Sequence, residues 1–256
     1  MNSSSTFLLI ADIAGYTRFM NLHRVSLAHA QDIVARLLET VIDAAEPVLK
    51  LAKIEGDAAF FYAPAEQRGA SGATLADRSR AIYRAFHAKA ADLRANTLCP
   101  CDGCQQAGML KLKFVGHVGD VAVQKVKRMT ELAGVDVILV HRLLKNAVPV
   151  PEYLLMTRPL FDLMQGSVRD KAAAVQLEID ELGPTEGYYV DLAIDAGEPV
   201  PPVKLPFLKR VRRHLGLISR AAPYLFGTKQ SCAGFRNVPD APLPAVPAKS
   251  DAGAQR

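Results

Sequence analysis

Two aspartates carry the strongest chemical signal in this chain. Asp12 interrupts the apolar run Phe7-Leu-Leu-Ile-Ala-Asp-Ile13, and Asp57 follows Gly56 in Lys53-Ile-Glu-Gly-Asp57. Carboxylates at the ends of adjacent strands offer hard oxygen ligands, and Mg2+ or Mn2+ needs only one or two of them when substrate phosphates complete its shell. Each acid taken singly also fits a plain turn or capping role. A second signal is Cys99-Pro-Cys-Asp-Gly-Cys104, which sets three soft ligands, Cys99, Cys101 and Cys104, in one tight turn. With a fourth ligand from His87, His117, Cys232 or a second protomer it forms a structural Zn2+ clip; a redox-sensitive thiol group or plain loop cysteines fit the same spacing. His117 and His141 are catalytic by type but read more simply as satisfied structural residues.

The elements that must position these groups follow from periodicity. An apolar run ended by a glycine predicts a buried strand over residues 7–13, turning at Gly15. Helical spacing covers residues 17–51, with Ile33, Leu37 and Val41 on one stripe, a break near Ser26 and Pro47 disturbing the end. Gly56-Asp57 predicts a hairpin into residues 58–63, and a Gly/Ala/Ser-rich loop precedes a second helix over 75–93. Beyond the cysteine insert near 99–108, residues 110–118 and 121–126 predict a hairpin across Gly119-Asp120. A third helix is expected over 135–144, and strands over 153–156, 175–179 and 188–192. The order predicts an α+β fold of the ferredoxin-like, split βαβ type: six or seven mostly antiparallel strands with helices packed on one face.

Charge divides the chain. Its 256 residues carry a formal charge of +5, yet eight basic residues and no acidic one lie between Pro199 and Pro239, leaving −3 on residues 1–198. This excludes a uniformly basic nucleic-acid coat, and no nucleic-acid-binding module is recognisable. Residues 1–195 read as one domain, and residues 196–256 as a Pro-rich linker, a basic helix and a disordered tail. From Pro206, Leu208, Val211, Leu215 and Ile218 form an apolar stripe with Lys209, Arg210, Arg212, Arg213 and Arg220 on the other faces. The stretch 204–226 thus suits an anionic membrane surface, or docking on the protein's own sheet with the charges solvated. The N-terminal apolar run lacks a preceding basic residue, and the cysteine spacing is poor for disulfides. A cytoplasmic location is expected, peripheral to the inner membrane face if the tail binds lipid.

The motifs, taken in order, resemble the catalytic domain of the class III adenylyl and guanylyl cyclases over about residues 6–192. The resemblance rests on Phe7-Leu-Leu-Ile-Ala-Asp-Ile-Ala-Gly-Tyr-Thr17, Lys53-x-x-Gly-Asp57, Gly116-His-x-Gly119 and Gly134-x-x-Val-x-x-x-x-Arg142-Leu143. Within that superfamily the chain is similar to an uncharacterised bacterial group, known mainly as a domain of unknown function, that shares the Cys-rich insert and the His141-Arg-Leu-Leu-Lys-Asn146 run. The resemblance implies a two-metal site: Asp12, Asp57 and the Ile13 carbonyl hold the ions, one activating a ribose 3′-hydroxyl and the other clamping the triphosphate. It further implies Lys53 and Glu131 as purine-reading residues and Arg142 as the group that meets charge on the α-phosphate. The implied ligand is a nucleoside triphosphate, ATP favoured, in a homodimer where Arg142 of one chain faces the carboxylates of the other.

Three positions depart from the pattern. The ribose-orienting asparagine falls at Ile138, which has no hydrogen-bonding group, and losing one such donor costs on the order of 10² to 10³ in rate. The purine partner falls near Glu131 in place of the usual Asp or Thr. The late phosphate-binding lysine falls in Gly183-Pro-Thr-Glu-Gly187. The expectation is a divergent cyclase-like domain that binds a metal-nucleotide with weak or lost cyclase activity and a regulatory role. The alternatives are an active adenylate cyclase and a catalytically dead scaffold docking on a membrane or protein partner.

Overall fold

The computed structural model describes residues 4–22, 27–65, 70–98, 106–127, 129–197 and 200–225. Eight strands form the sheet: β1 (Ser4–Ala14), β2 (Lys50–Glu55), β3 (Ala58–Pro64), β4 (Lys111–Val126), β5 (Met129–Ala133), β6 (Tyr153–Thr157), β7 (Ala173–Ile179) and β8 (Gly183–Asp191). Their order is β2-β3-β1-β4-β6-β8-β7, with β5 paired to the far half of β4. Among the described strand pairs, only β4–β6 is parallel. The helices are α1 (Tyr16–Leu22), α2 (Leu27–Ala45), α3 (Gly72–Asn96), α4 (Val135–Arg142), α5 (Arg158–Asp162), α6 (Ser167–Lys171), α7 (Leu192–Asp195) and α8 (Phe207–Leu225).

Strand β1 explains why both faces must be covered. Its odd residues Phe7, Leu9, Ala11 and Ile13 pack with Ile33, Leu37 and Val41 of α2 and with Ile82 and Phe86 of α3. Its even residues Leu8 and Ile10 join a second core with Val137 and Val140 of α4, Phe60 and Leu155. A strand buried on both sides reads as a continuous apolar run, not an alternating one. Burying a side chain such as Leu37 fully is worth about 1.5 to 3 kcal/mol.

The α+β class and the mostly antiparallel sheet are as expected; several details differ. Helices cover two faces, because α4 lies opposite α2 and α3. The first helical stretch is described as α1 and α2 and ends at Ala45, and β2 already begins at Lys50. The expected break near Ser26 lies outside the described residues, as do Cys99, Cys101 and Cys104. Residues 111–126 are not a hairpin but the single strand β4, antiparallel to β1 over 111–121 and to β5 over 122–126. Gly119 is small for a different reason than turning. A Cβ there would stand 2.3 Å from Asp136 Cγ and 2.6 Å from His117 Nε2, so the glycine makes room for that pair.

Glu152, just before β6, ties the sheet to α3. It is 3% exposed and accepts from the Leu112 N–H at 3.0 Å, from Lys111 Nζ at 3.2 Å and from Tyr83 Oη at 3.4 Å, and lies 2.6 Å from His87 Nε2. Burial alone would raise its carboxyl, but His87, Leu112 and Lys111 hold it below the usual glutamate value of 4.5. Burial, and then the Glu152 charge, push the Tyr83 hydroxyl up to about 12. No helix among the described residues is long and apolar enough to cross a membrane.

A lowered carboxyl stabilises the fold above its unfolded value and loses that contribution as pH falls through the folded value. Glu152→Gln should therefore lower stability at neutral pH by about 2 to 4 kcal/mol and flatten the decline below pH 4.5, read as urea midpoints across pH. A variant that tracks the wild type at every pH would disprove the role given to this carboxylate.

Candidate functional site

The carboxylate pair is built by strand register. Asp12, near the end of β1, stands opposite Ala58 of β3, so Asp57, one residue earlier in the turn, lies beside it. Gly56 turns the chain at φ 65°, a value that favours glycine, and the Ile13 N–H donates to the Asp57 carbonyl at 3.2 Å. On the other side of β1, Asp12 stands opposite Lys113 of β4, whose Nζ is 2.9 Å from Asp12 Oδ2. The same ammonium donates to the Leu144 carbonyl at 3.4 Å. Ile13 buries its side chain in the α2–α3 core, so only its backbone is offered to this site.

The electrostatics follow from two acids sharing one base. Burial and then the Asp12 charge raise the Asp57 carboxyl above its ordinary 3.8, against opposition from its own backbone and Lys113. Burial and then Asp57 raise the Tyr16 hydroxyl. Tyr153, raised chiefly by burial, donates its hydroxyl to Asn146 Oδ1 at 3.0 Å. The local charge is thus one negative in excess, and its oxygens are hard, which fits a divalent cation. No group of three or more His, Cys, Asp or Glu is assembled among the described residues. The donor set therefore fits an ion that arrives with phosphate oxygens better than one held by protein alone.

A groove between α4 and β7 collects the second set of residues: Lys53, Ile138, His141, Arg142 and the turn around Asp180 and Glu181. Lys53 Nζ is 2.7 Å from Glu55 Oε1, and His141 Nε2 is 3.0 Å from Glu55 Oε2. Burial would raise Glu55; Lys53 and then His141 bring it below the usual value. Arg142 reaches Glu181 at 2.6 Å, and Glu181 is 81% exposed. Ile138 is 50% exposed in this groove and adds no polar atom. Glu131 sits in β5 opposite Gln124 of β4.

The two histidines weighed as zinc ligands have other partners. His87 meets Glu152, and the buried His117 spans Thr157 Oγ1 at 2.7 Å and Asp136 Oδ1 at 3.0 Å. Asp136 also accepts from the Asp120 N–H at 2.7 Å. Spacing alone did not single out Lys113, Glu55 or Glu181. Lys113 becomes visible only once β4 is placed against β1, whereas Glu55 carries a local hint, two residues from Lys53 on the same strand.

This sheet and its helices are the fold of class III adenylyl and guanylyl cyclase catalytic domains. The adenylyl cyclase CyaB of P. aeruginosa superposes with a TM-score of 0.52 at 14% identity, over 74% of this chain and 94% of that one. The guanylate cyclase domain of RhGC from Catenaria anguillulae, in complex with GTP, gives 0.52 at 14% identity, over 74% and 98%. The chain belongs to the same family as the uncharacterised protein Rv2561/Rv2562 of Mycobacterium tuberculosis, to which it is 44% identical over 205 residues, 80% of this chain and 94% of the relative. Residues 34–153 match the family described as a protein of unknown function, DUF2652.

Removing the competing ammonium tests the carboxylate pair. Lys113→Met should unfold at a lower temperature without metal, yet bind Mn2+ at least about tenfold more tightly by calorimetry, because two close acids then lack their base. Affinity should fall as pH drops through the raised Asp57 value, since the protonated carboxyl is neutral and a poor ligand. Equal Mn2+ binding by wild type, Lys113→Met and Asp12→Asn would remove the pair as a metal site.

Proposed function

We propose that the chain is a divergent cyclase-fold domain that binds a divalent-metal nucleoside triphosphate, with weak or lost cyclase activity and a regulatory role. The observation that carries this reading is the Asp12–Asp57 pair, with Asp57 raised by burial and then by Asp12, beside a groove in which the other groups assigned to the nucleotide are engaged. Asp12, Asp57 and the Ile13 backbone would hold Mg2+ or Mn2+, which would neutralise triphosphate charge. Lys53 would read the base after leaving Glu55, with Glu131 as its acidic partner. Arg142 would meet the phosphates of a nucleotide bound mainly by a second copy, which makes the working unit a homodimer. ATP is the favoured ligand, because a lysine at the purine-reading position donates to a ring-nitrogen acceptor.

Weak turnover is supported by Ile138, which no side-chain movement converts into a donor for the ribose. The rival reading, an active adenylate cyclase, is supported by the exposure of Glu181: a surface ion pair is worth about 0 to 1 kcal/mol, so Arg142 is easily released to a more highly charged triphosphate.

Purified protein incubated with ATP or GTP and Mn2+, followed for cyclic product and for thermal shift, separates these readings. The proposal expects a metal-dependent shift that Asp57→Ala and Asp12→Asn abolish, with cyclic product absent or on the order of 10² to 10³ below an active enzyme. Efficient product formation abolished by Asp57→Ala would establish the active cyclase. No nucleotide-dependent shift, with the variants still folded by circular dichroism, would defeat both and leave a scaffold. Glu181→Gln, by freeing Arg142, should raise nucleotide affinity about two- to fivefold without altering the unfolding midpoint.

A further inference from the structure

The basic helix docks on the body with its charged side. Asn96, 2% exposed at the end of α3, donates to the Val203 carbonyl at 3.0 Å and accepts from the Leu205 N–H at 2.8 Å, fixing the segment that leads into α8. Arg213 then pairs with Asp92 at 2.9 Å, and Arg210 donates to the Thr97 carbonyl at 3.1 Å. A small cleft lined by Asp32, Arg36, Asn96, Arg210, Arg213 and His214 marks this contact. The sequence pattern alone allowed the opposite arrangement, in which the apolar stripe faces the body.

The consequence is an apolar stripe turned to solvent. Phe207 is 68%, Leu208 79% and Leu215 58% exposed. At about 100° per residue these three and Val211 fall within an arc of about 100°, with Arg212 about 40° beyond its edge. Lys204, Lys209 and Arg212 are exposed, and no acid occurs between residues 199 and 239. A stripe one or two side chains wide beside exposed cations, with no acid between residues 199 and 239, matches an apolar layer beneath an anionic surface.

We propose that α8 is a peripheral membrane anchor: Phe207, Leu208, Val211 and Leu215 enter the acyl boundary of an anionic bilayer, while Lys204, Lys209 and Arg212 meet lipid phosphates. Arg210 and Arg213 clamp the helix to the body and set the body's orientation to the membrane. Each cation near the headgroups contributes about fivefold to partitioning, so binding depends on anionic lipid and weakens with salt.

The full chain is sedimented with phosphatidylcholine vesicles, with and without about 30 mol % phosphatidylserine. Wild type should bind only the anionic vesicles and be released by high salt. Leu208→Glu/Leu215→Glu should lose at least about tenfold in partitioning, and Lys209→Glu/Arg212→Glu a similar factor, with unfolding midpoints unchanged because these side chains are exposed. No wild-type binding, binding to neutral vesicles alike, or equal binding by the variants would overturn the proposal. So would lipid-free self-association of wild type lost in Leu208→Glu/Leu215→Glu, which would assign the face to a second copy.

Discussion

Asp12 is a carboxylate near the end of a strand whose two faces are both covered, and such a group stands only where opposite charge or hydrogen bonds meet it. Lys113 meets it from one side at 2.9 Å, and the Asp57 turn closes on it from the other. A one-residue slip of β1 would turn Asp12 toward the α2–α3 core and separate it from both at once. The alternating placement of Leu8 and Ile10 against Leu9 and Ala11 holds that register, since each set fills a different core. The chemistry at the strand end is thereby locked by the packing along its length. One base for two acids lets the fold stand without a cation and still leaves negative charge to attract one.

The groove beside this pair is organised by the same economy of charge. Glu55 serves Lys53 and His141 together, and Glu181 holds Arg142 from a turn in solvent. These are partly exposed ion pairs, and exposure keeps them weak. A triphosphate carries more charge than either glutamate, so the resting partners of Lys53 and Arg142 are ones that such a ligand could displace. Ile138 is of another kind: it is exposed in the groove, and repacking supplies no hydrogen-bond donor there. In the proposed reading, binding and turnover would therefore separate for a local reason.

The acids were legible because strand, turn and acid lie close together in sequence: an apolar run broken by Asp12, and Gly56 before Asp57. Lys113 was not, because nothing in its own neighbourhood says which residue β1 will set opposite it. The 110–126 segment shows how a local rule misleads. Gly119-Asp120 has turn composition, but tertiary packing claims the glycine so that Asp136 can reach His117 and the Asp120 N–H. The helical spacing over 17–51 overruns the helix because apolar residues continue at Leu49 and Leu51, after α2 has ended at Ala45 and as β2 begins at Lys50. The continuous apolar run of β1 already implied two covered faces.

The division of charge along the chain gains a mechanical meaning from the α3–α8 contact. Asp92 lies on the acidic body and Arg213 on the basic segment, and their pairing uses the imbalance between the two to join them. Burial would raise the Asp92 carboxyl, but Arg213 and Asn96 hold it below its usual value, so the contact is strongest where the carboxylate is ionised. Because arginines make this contact, Phe207, Leu208 and Leu215 of α8 are left exposed. Had the stripe docked inward, the helix would have presented only cations, and an anionic surface would have been met by charge alone. As built, α8 uses Arg210 and Arg213 to fix its place on the body and leaves its hydrophobic side for whatever lies beyond it.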